Sequence, residues 1–154
     1  MGRHTRYQGL IIQDDHVLLI RVKQISTDHE FWVIPGGGIE DSETEEECII
    51  REIKEETNLK VVVNKLIFDE PGPKGDEYQR LKTFLCTPIS GEASPGYEPE
   101  AAADASIIEV RWFALQEEST WDEDLIQDPF TYPTLVKLRK ILGHKNCRSK
   151  DGQI

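Results

Sequence analysis

The stretch GGGIEDSETEEECIIREIKEETNL, Gly36 to Leu59, decides how this chain is read. Seven of the fourteen residues from Glu43 to Glu56 are glutamate. Thr44 with Glu47, or Ser42 with Glu45, fits a reciprocal capping box, and the apolar period predicts a helix running to about Thr57. At about 100° per residue, with Glu52 at zero, Glu45 falls near roughly 20°, Glu56 near roughly 40° and Glu55 near roughly 300°. These carboxylates share a face, and Ile49, Ile53 and Ile50 form the adjoining apolar stripe, with Glu46 as a blemish inside its arc. Like charges at this spacing repel, the more so beside an apolar seam, and Arg51 reaches only its own flank. Oxygen donors clustered without histidine or cysteine suit Mg2+ or Mn2+, which keep several waters and bind phosphates through them. A solvated acidic face is the competing reading of such a run.

Working outward, YQGLIIQ and HVLLIRVKQ on either side of Asp14-Asp15 predict a hairpin of mostly buried strands. FWVIP continues the extended pattern until Pro35 and the glycines Gly36, Gly37 and Gly38 end it. LKVVVNKLIFDE, YQRLKTFLCTPI and SIIEVRWFAL read as further strands, separated by the loop PGPKGDE and a long small-and-acidic loop from Ser90 to Ala105. TYPTLVKLRKIL places Leu135, Leu138 and Leu142 at helical spacing before Gly143, and the tail from His144 is polar. Strands interspersed with two helices make a mixed α/β domain.

With 154 residues, 38% of them hydrophobic and 31% charged, the chain has the size and composition of one globular domain, spanning residues 1–154 with an ordered core over about 6–143. No apolar run approaches membrane-spanning length, and MGRHTRYQ lacks a secretory signal's apolar core, so a cytoplasmic setting is expected. Cys48, Cys86 and Cys147 show no metal spacing and are expected as free thiols. A balance of 18 basic to 29 acidic residues argues against binding a nucleic acid polymer, while a small polyanion bridged by divalent cations is compatible with it.

Read as Gly37, five residues, Glu43, seven residues, Arg51-Glu52-Ile53, one residue, Glu55-Glu56, one residue, Asn58-Leu59, the segment resembles the box of the Nudix hydrolase family, G-x5-E-x7-R-E-U-x-E-E-x-G-U with U aliphatic. Six of its seven invariant positions match, which composition alone yields on the order of once in 10⁷ placements. The departure is Asn58 in place of glycine, and asparagine is the next most tolerant residue in the left-handed turn that ends a helix.

The resemblance implies a Nudix α/β/α sandwich with a mixed sheet, and hydrolysis of the pyrophosphate linkage of a nucleoside diphosphate joined to another moiety. It implies that the carbonyl of Gly37 and the carboxylates of Glu52, Glu55 and Glu56 hold Mg2+ or Mn2+. By the same resemblance Glu43 and Arg51 form a supporting ion pair, and Glu52 also serves to orient or deprotonate the attacking water. A further acidic ligand or base from outside the box is expected among Glu98, Glu100, Asp104 and Glu109. Arg21, Trp32, Arg80, Phe130 and Tyr132 are the candidates for contacting substrate, with Lys23 and Tyr78 beside them. Residues some sixteen to eighteen positions past the box, where subgroups carry proline or tyrosine, are Gly75, Asp76 and Glu77, which leaves the nucleotide open. Dimers are common among relatives, so a homodimer is compatible with the resemblance. Two other readings compete: a nucleotide-sensing module that binds without cleaving, and a plain acidic scaffold. The first has no need of the repelling carboxylates, and the second predicts no stabilisation by Mg2+.

Overall fold

The computed structural model describes residues 4–74, 78–97 and 104–144. Strands β1 (Thr5–Gln13) and β2 (His16–Gln24) meet at a two-residue turn in which Asp14 and Asp15 take φ of 52° and 61°. Both turn residues must be left-handed in a connection of this type, and aspartate tolerates that better than most residues. β3 (Glu30–Val33) and β7 (Ala105–Ala114) flank β2, both antiparallel to it. β1 runs parallel to β6 (Arg80–Ser90) from Thr5 opposite Arg80 to Ile11 opposite Cys86, and β5 (Lys60–Pro71) closes the far edge antiparallel to β6.

The glycine triplet does more than end a strand. Gly36–Gly38 is itself a short strand, β4, antiparallel to β1 with Gly37 opposite Tyr7 and Gly38 opposite Arg6. Glycine is required at Gly36, where a Cβ would run into the Tyr7 carbonyl and the Gln8 backbone.

The central strands are apolar on both sides, and successive residues serve different cores. Leu10, Val17 and Leu19 pack with Trp32, Phe113 and Leu115, and beneath α3 (Thr131–Ile141) through Leu135 and Leu138. Ile11 and Leu18 point the other way, against Cys48, Ile49 and Ile53 of α1 (Glu45–Thr57). The result is a mixed sheet between helices. A 3-10 turn at Glu118–Thr120 and the short helix α2 (Glu123–Ile126) precede α3; four residues are too few to show a helical period. Glu118 and the fully buried Arg139 form an ion pair at 2.7 Å beneath this connection.

Cys48 and Cys86 are buried and not joined in a disulfide, and burial pushes the Cys86 thiol up to about 12. Cys147 and the residues Gly75, Asp76 and Glu77 lie outside the described residues. No helix among the described residues is long and apolar enough to cross a membrane.

Candidate active site

Helix α1 starts where the Thr44/Glu47 alternative put it: the Thr44 hydroxyl accepts from Glu47 N at 3.1 Å, and the Glu47 carboxylate accepts from Thr44 N at 2.9 Å. It ends at Asn58, in the left-handed conformation with φ 65° and ψ 12°, so asparagine supplies the turn expected of the box glycine. Ile49 and Ile53 are fully buried, Ile50 packs at the margin of the same cluster, and Glu46 is exposed.

The two glutamates that flank the apolar stripe are themselves fully buried: Glu52 and Glu56 are both 0% exposed. Burying carboxylates is costly unless charge and donors are supplied. Glu56 Oε1 accepts a hydrogen bond from the Gly36 amide at 3.0 Å, and Glu52 Oε2 accepts from Arg51 Nη1 at 3.1 Å. Gly37 lies directly against Glu52, so close that a Cβ there would overlap the carboxylate group. The paired strands β1 and β4 thus press the glycine backbone onto the acidic helix face.

Arg51 reaches further than the helical wheel suggests. It donates through Nε and Nη2 to both oxygens of Glu43, through Nη2 to the Gly38 carbonyl at 3.1 Å, and through Nη1 to Glu52 and to Glu55 at 3.2 Å. The Glu43 hydrogen bonds lead in holding its guanidinium above the usual arginine range, against a smaller opposing effect of burial, with Glu52 adding to the rise. The wheel treated Arg51 as fixed on its own flank; a long side chain folding back over the preceding loop reaches Glu43 and Gly38 as well. Glu45, placed by the wheel on the same face as Glu52, pairs instead with Lys82 of β6 at 2.8 Å.

Among the described residues no three acidic, histidine or cysteine side chains converge as a ready-made metal cage. Arg51 stands between Glu52 and Glu55, within hydrogen-bond distance of each. The donor set nevertheless fits Mg2+ or Mn2+, which need only one or two carboxylates from a protein and take water and phosphate oxygens for the rest. Glu52 and Glu56 supply buried carboxylate oxygens, and the abutting Gly37 adds only backbone.

Of the residues expected outside the box, two are described, each with a partner of its own. Asp104 accepts from Ser26 N at 3.0 Å and from its hydroxyl at 3.2 Å, at the turn between β2 and β3. Glu109 pairs with Arg111 at 2.8 Å on β7. Glu98 and Glu100 lie outside the described residues. Of the recognition candidates, Trp32 is fully buried, edge-on to Phe113, with the guanidinium groups of Arg21 and Arg111 at 5.1 and 4.8 Å from its ring centre. A tryptophan so covered has no ring face left to offer a ligand. Arg21 is held by Glu30 and Asp124, Arg80 by Asp69, and the Tyr132 hydroxyl donates to Glu118 at 2.8 Å. Phe130, 61% exposed, stands at the start of α3.

The sequence does not single out Arg6, Gln8 and Thr83, polar side chains that tie β1 to β6 and to the chain entering β4. Arg6 donates to the Ile34 carbonyl at 2.7 Å and to Gln8 at 3.2 Å, and the buried Gln8 amide donates to Thr83 at 2.9 Å. The signal is present in YQGLIIQ, where Gln8 interrupts a strand that reads as mostly buried.

The NUDIX domain family matches residues 3–132 of the chain. The chain belongs to the Nudix family. It is 35% identical over 96 residues to the ADP-ribose pyrophosphatase of Methanocaldococcus jannaschii, a match covering 61% of this chain and 56% of that protein. It is 36% identical over 62 residues to the 8-oxo-dGTP diphosphatase of Proteus vulgaris, covering 40% of this chain and 55% of that protein. The chain thus spans little more than half the length of these relatives. A NUDIX hydrolase from Nitrosomonas europaea shares the fold with a TM-score of 0.66 at 17% identity, over 88% of this chain and 87% of that one.

Proposed function

We propose that residues 6–143 form one catalytic domain, a divalent-metal-dependent pyrophosphohydrolase whose substrate is a nucleoside diphosphate joined to another moiety. The observation that carries this reading is the burial of Glu52 and Glu56 against the Gly36–Gly37 backbone, which an acidic surface helix has no reason to show. Supporting it are the box spacing and two relatives named as an ADP-ribose pyrophosphatase and an 8-oxo-dGTP diphosphatase.

In this reading Glu52, Glu56 and the Gly37 carbonyl hold Mg2+ or Mn2+, and Glu55 supplements them from the same helix face. A cation held there would supply charge neutralisation to the diphosphate and would make the attacking water more acidic. Glu52 accepts a proton from, or orients, the attacking water. Arg51 keeps the Glu43 loop fastened to the helix, so that Gly37 stays seated over Glu52. The nucleoside end of the substrate is recognised away from the buried Trp32.

The test is a panel of ADP-ribose, nucleotide sugars, dinucleoside polyphosphates and normal and oxidised nucleoside triphosphates with Mg2+ or Mn2+, resolved by product analysis. Metal-dependent cleavage between two phosphorus atoms of at least one member is expected. Tight binding of a nucleotide with no cleavage anywhere identifies a sensing module instead.

A further inference from the structure

Asn58 does more than replace a glycine. Its side-chain amide donates to the Ser94 hydroxyl at 2.9 Å, to the Ser94 carbonyl at 3.1 Å and to the Pro95 carbonyl at 3.4 Å. The segment so held, residues 91–97, lies across the C-terminal end of α1. Ser94 N donates to the Thr57 carbonyl, Gly96 N to that of Glu56 and Tyr97 N to that of Glu55, each at 2.9 Å. Carbonyls that would otherwise face water at a helix end are thereby satisfied by one strap. The approach is close enough to demand glycine at Gly96, where a Cβ would overlap the Glu55 carbonyl oxygen. At Gly91, with φ 95°, an added Cβ would lie 2.7 Å from the Asn58 carbonyl oxygen, and Ala93 packs against the core beneath α1.

A glycine at position 58 would form the same left-handed turn without donating any of these three side-chain hydrogen bonds. The amide is therefore surplus to ending the helix, and its effect falls on the strap. The strap in turn grips the main chain of Glu55 and Glu56, whose side chains belong to the acidic face. We propose that Asn58 is a positioning residue: by fastening the 91–97 strap to the end of α1, it fixes the backbone from which Glu55 and Glu56 reach the divalent cation. This rests on the metal-binding reading above. Strap docking and cation binding then favour one another reciprocally.

The experiment uses the full chain and Mn2+ as probe, with affinity read from the electron paramagnetic resonance of the free ion and strap docking from amide hydrogen exchange at Ser94, Gly96 and Tyr97. In the unaltered protein Mn2+ slows exchange at those amides. Asn58→Gly, which restores the box residue and keeps the turn, speeds their exchange by about tenfold and weakens Mn2+ binding by about three- to tenfold. Gly96→Ala, which forces the strap off the Glu55 carbonyl, has the larger effect on both. Turnover in Asn58→Gly falls through kcat at saturating Mg2+ while KM holds, because the strap acts on metal geometry rather than on nucleotide contacts. Faster exchange in Asn58→Gly with unchanged Mn2+ affinity overturns the inference and leaves the proposed function standing, and so does unchanged exchange. Failure of the unaltered protein to bind Mn2+ overturns both.

Discussion

Gly37 lies against Glu52 so tightly that a single added carbon would overlap the carboxylate. The Gly37→Ala variant therefore either displaces the Glu52 side chain or lifts β4 away from α1. Overpacking of this kind costs about 1–3 kcal/mol of stability. A misplaced ligand costs more in rate: metal-dependent turnover is expected to fall by about 10²-fold, as seen in steady-state kinetics alongside a urea denaturation curve. A variant with full activity would show that Glu52 is not used where the structure puts it.

Glu52→Gln and Glu56→Gln remove a charge from the buried pair and keep its shape. Without metal both variants are expected to fold and to melt no lower than the parent, since like-charge repulsion is relieved. With Mg2+ at about a hundred times its Kd, the parent gains about 2.7 kcal/mol of stability, and the variants gain little. Thermal melts with and without Mg2+ check this, and an equal Mg2+ effect in all three proteins would remove these carboxylates from the metal site.

Arg51 is the cation that holds the cluster together, touching Glu43, Glu52, Glu55 and the Gly38 carbonyl. Its replacement by alanine leaves the fully buried Glu52 without that charge, a loss of about 3 kcal/mol by analogy with broken buried pairs. Arg51→Lys keeps the charge but loses the two-pronged grip on Glu43, so stability is expected to recover further than activity. Chemical denaturation and kinetics of the two variants separate these contributions.

How much of this was legible in the chain varies with the physics of each residue. The helix from Glu45 to Thr57 follows from local spacing, which narrows its cap to Thr44/Glu47 or Ser42/Glu45, and so do the strands around Leu10 and Leu18, buried on both faces. Gly36–Gly38 as a paired strand was not legible, because glycine carries no side-chain pattern and its pairing with Arg6–Gln8 depends on a long-range register. The destinations of Asp104 and Trp32 were hidden for a similar reason. Each is decided by a partner distant in sequence, such as Ser26 for Asp104 or the Arg21 and Arg111 pair around Trp32. Asn58 was legible as a helix terminator, but its grip on Ser94, thirty-six residues away, was not.

The buried Cys86 gives a prediction in alkaline solution. Its ordinary value of 9.0 is pushed up to about 12 by burial, so the folded chain keeps the thiol proton over a range in which the unfolded chain has lost it. Its effect on stability is absent below about pH 9 and grows more unfavourable as pH rises toward about 12, at up to about 1.4 kcal/mol per unit. Cys86→Ala removes that slope. Urea midpoints at about pH 8 and about pH 10.5 should converge between parent and variant as the parent loses its advantage. A constant gap across that window would show that the thiol ionises as it does in the unfolded chain.

The central claim is that the acidic face of α1 holds a divalent cation which activates water against a phosphoanhydride. Phosphorus NMR of the nucleotide panel with Mg2+, run side by side on the parent and Glu52→Gln, tests it most directly. The account predicts metal-dependent scission of a phosphoanhydride bond by the parent, abolished by chelation and reduced at least about a thousandfold in Glu52→Gln. Equal turnover by the two proteins, or turnover that survives chelation, would contradict it.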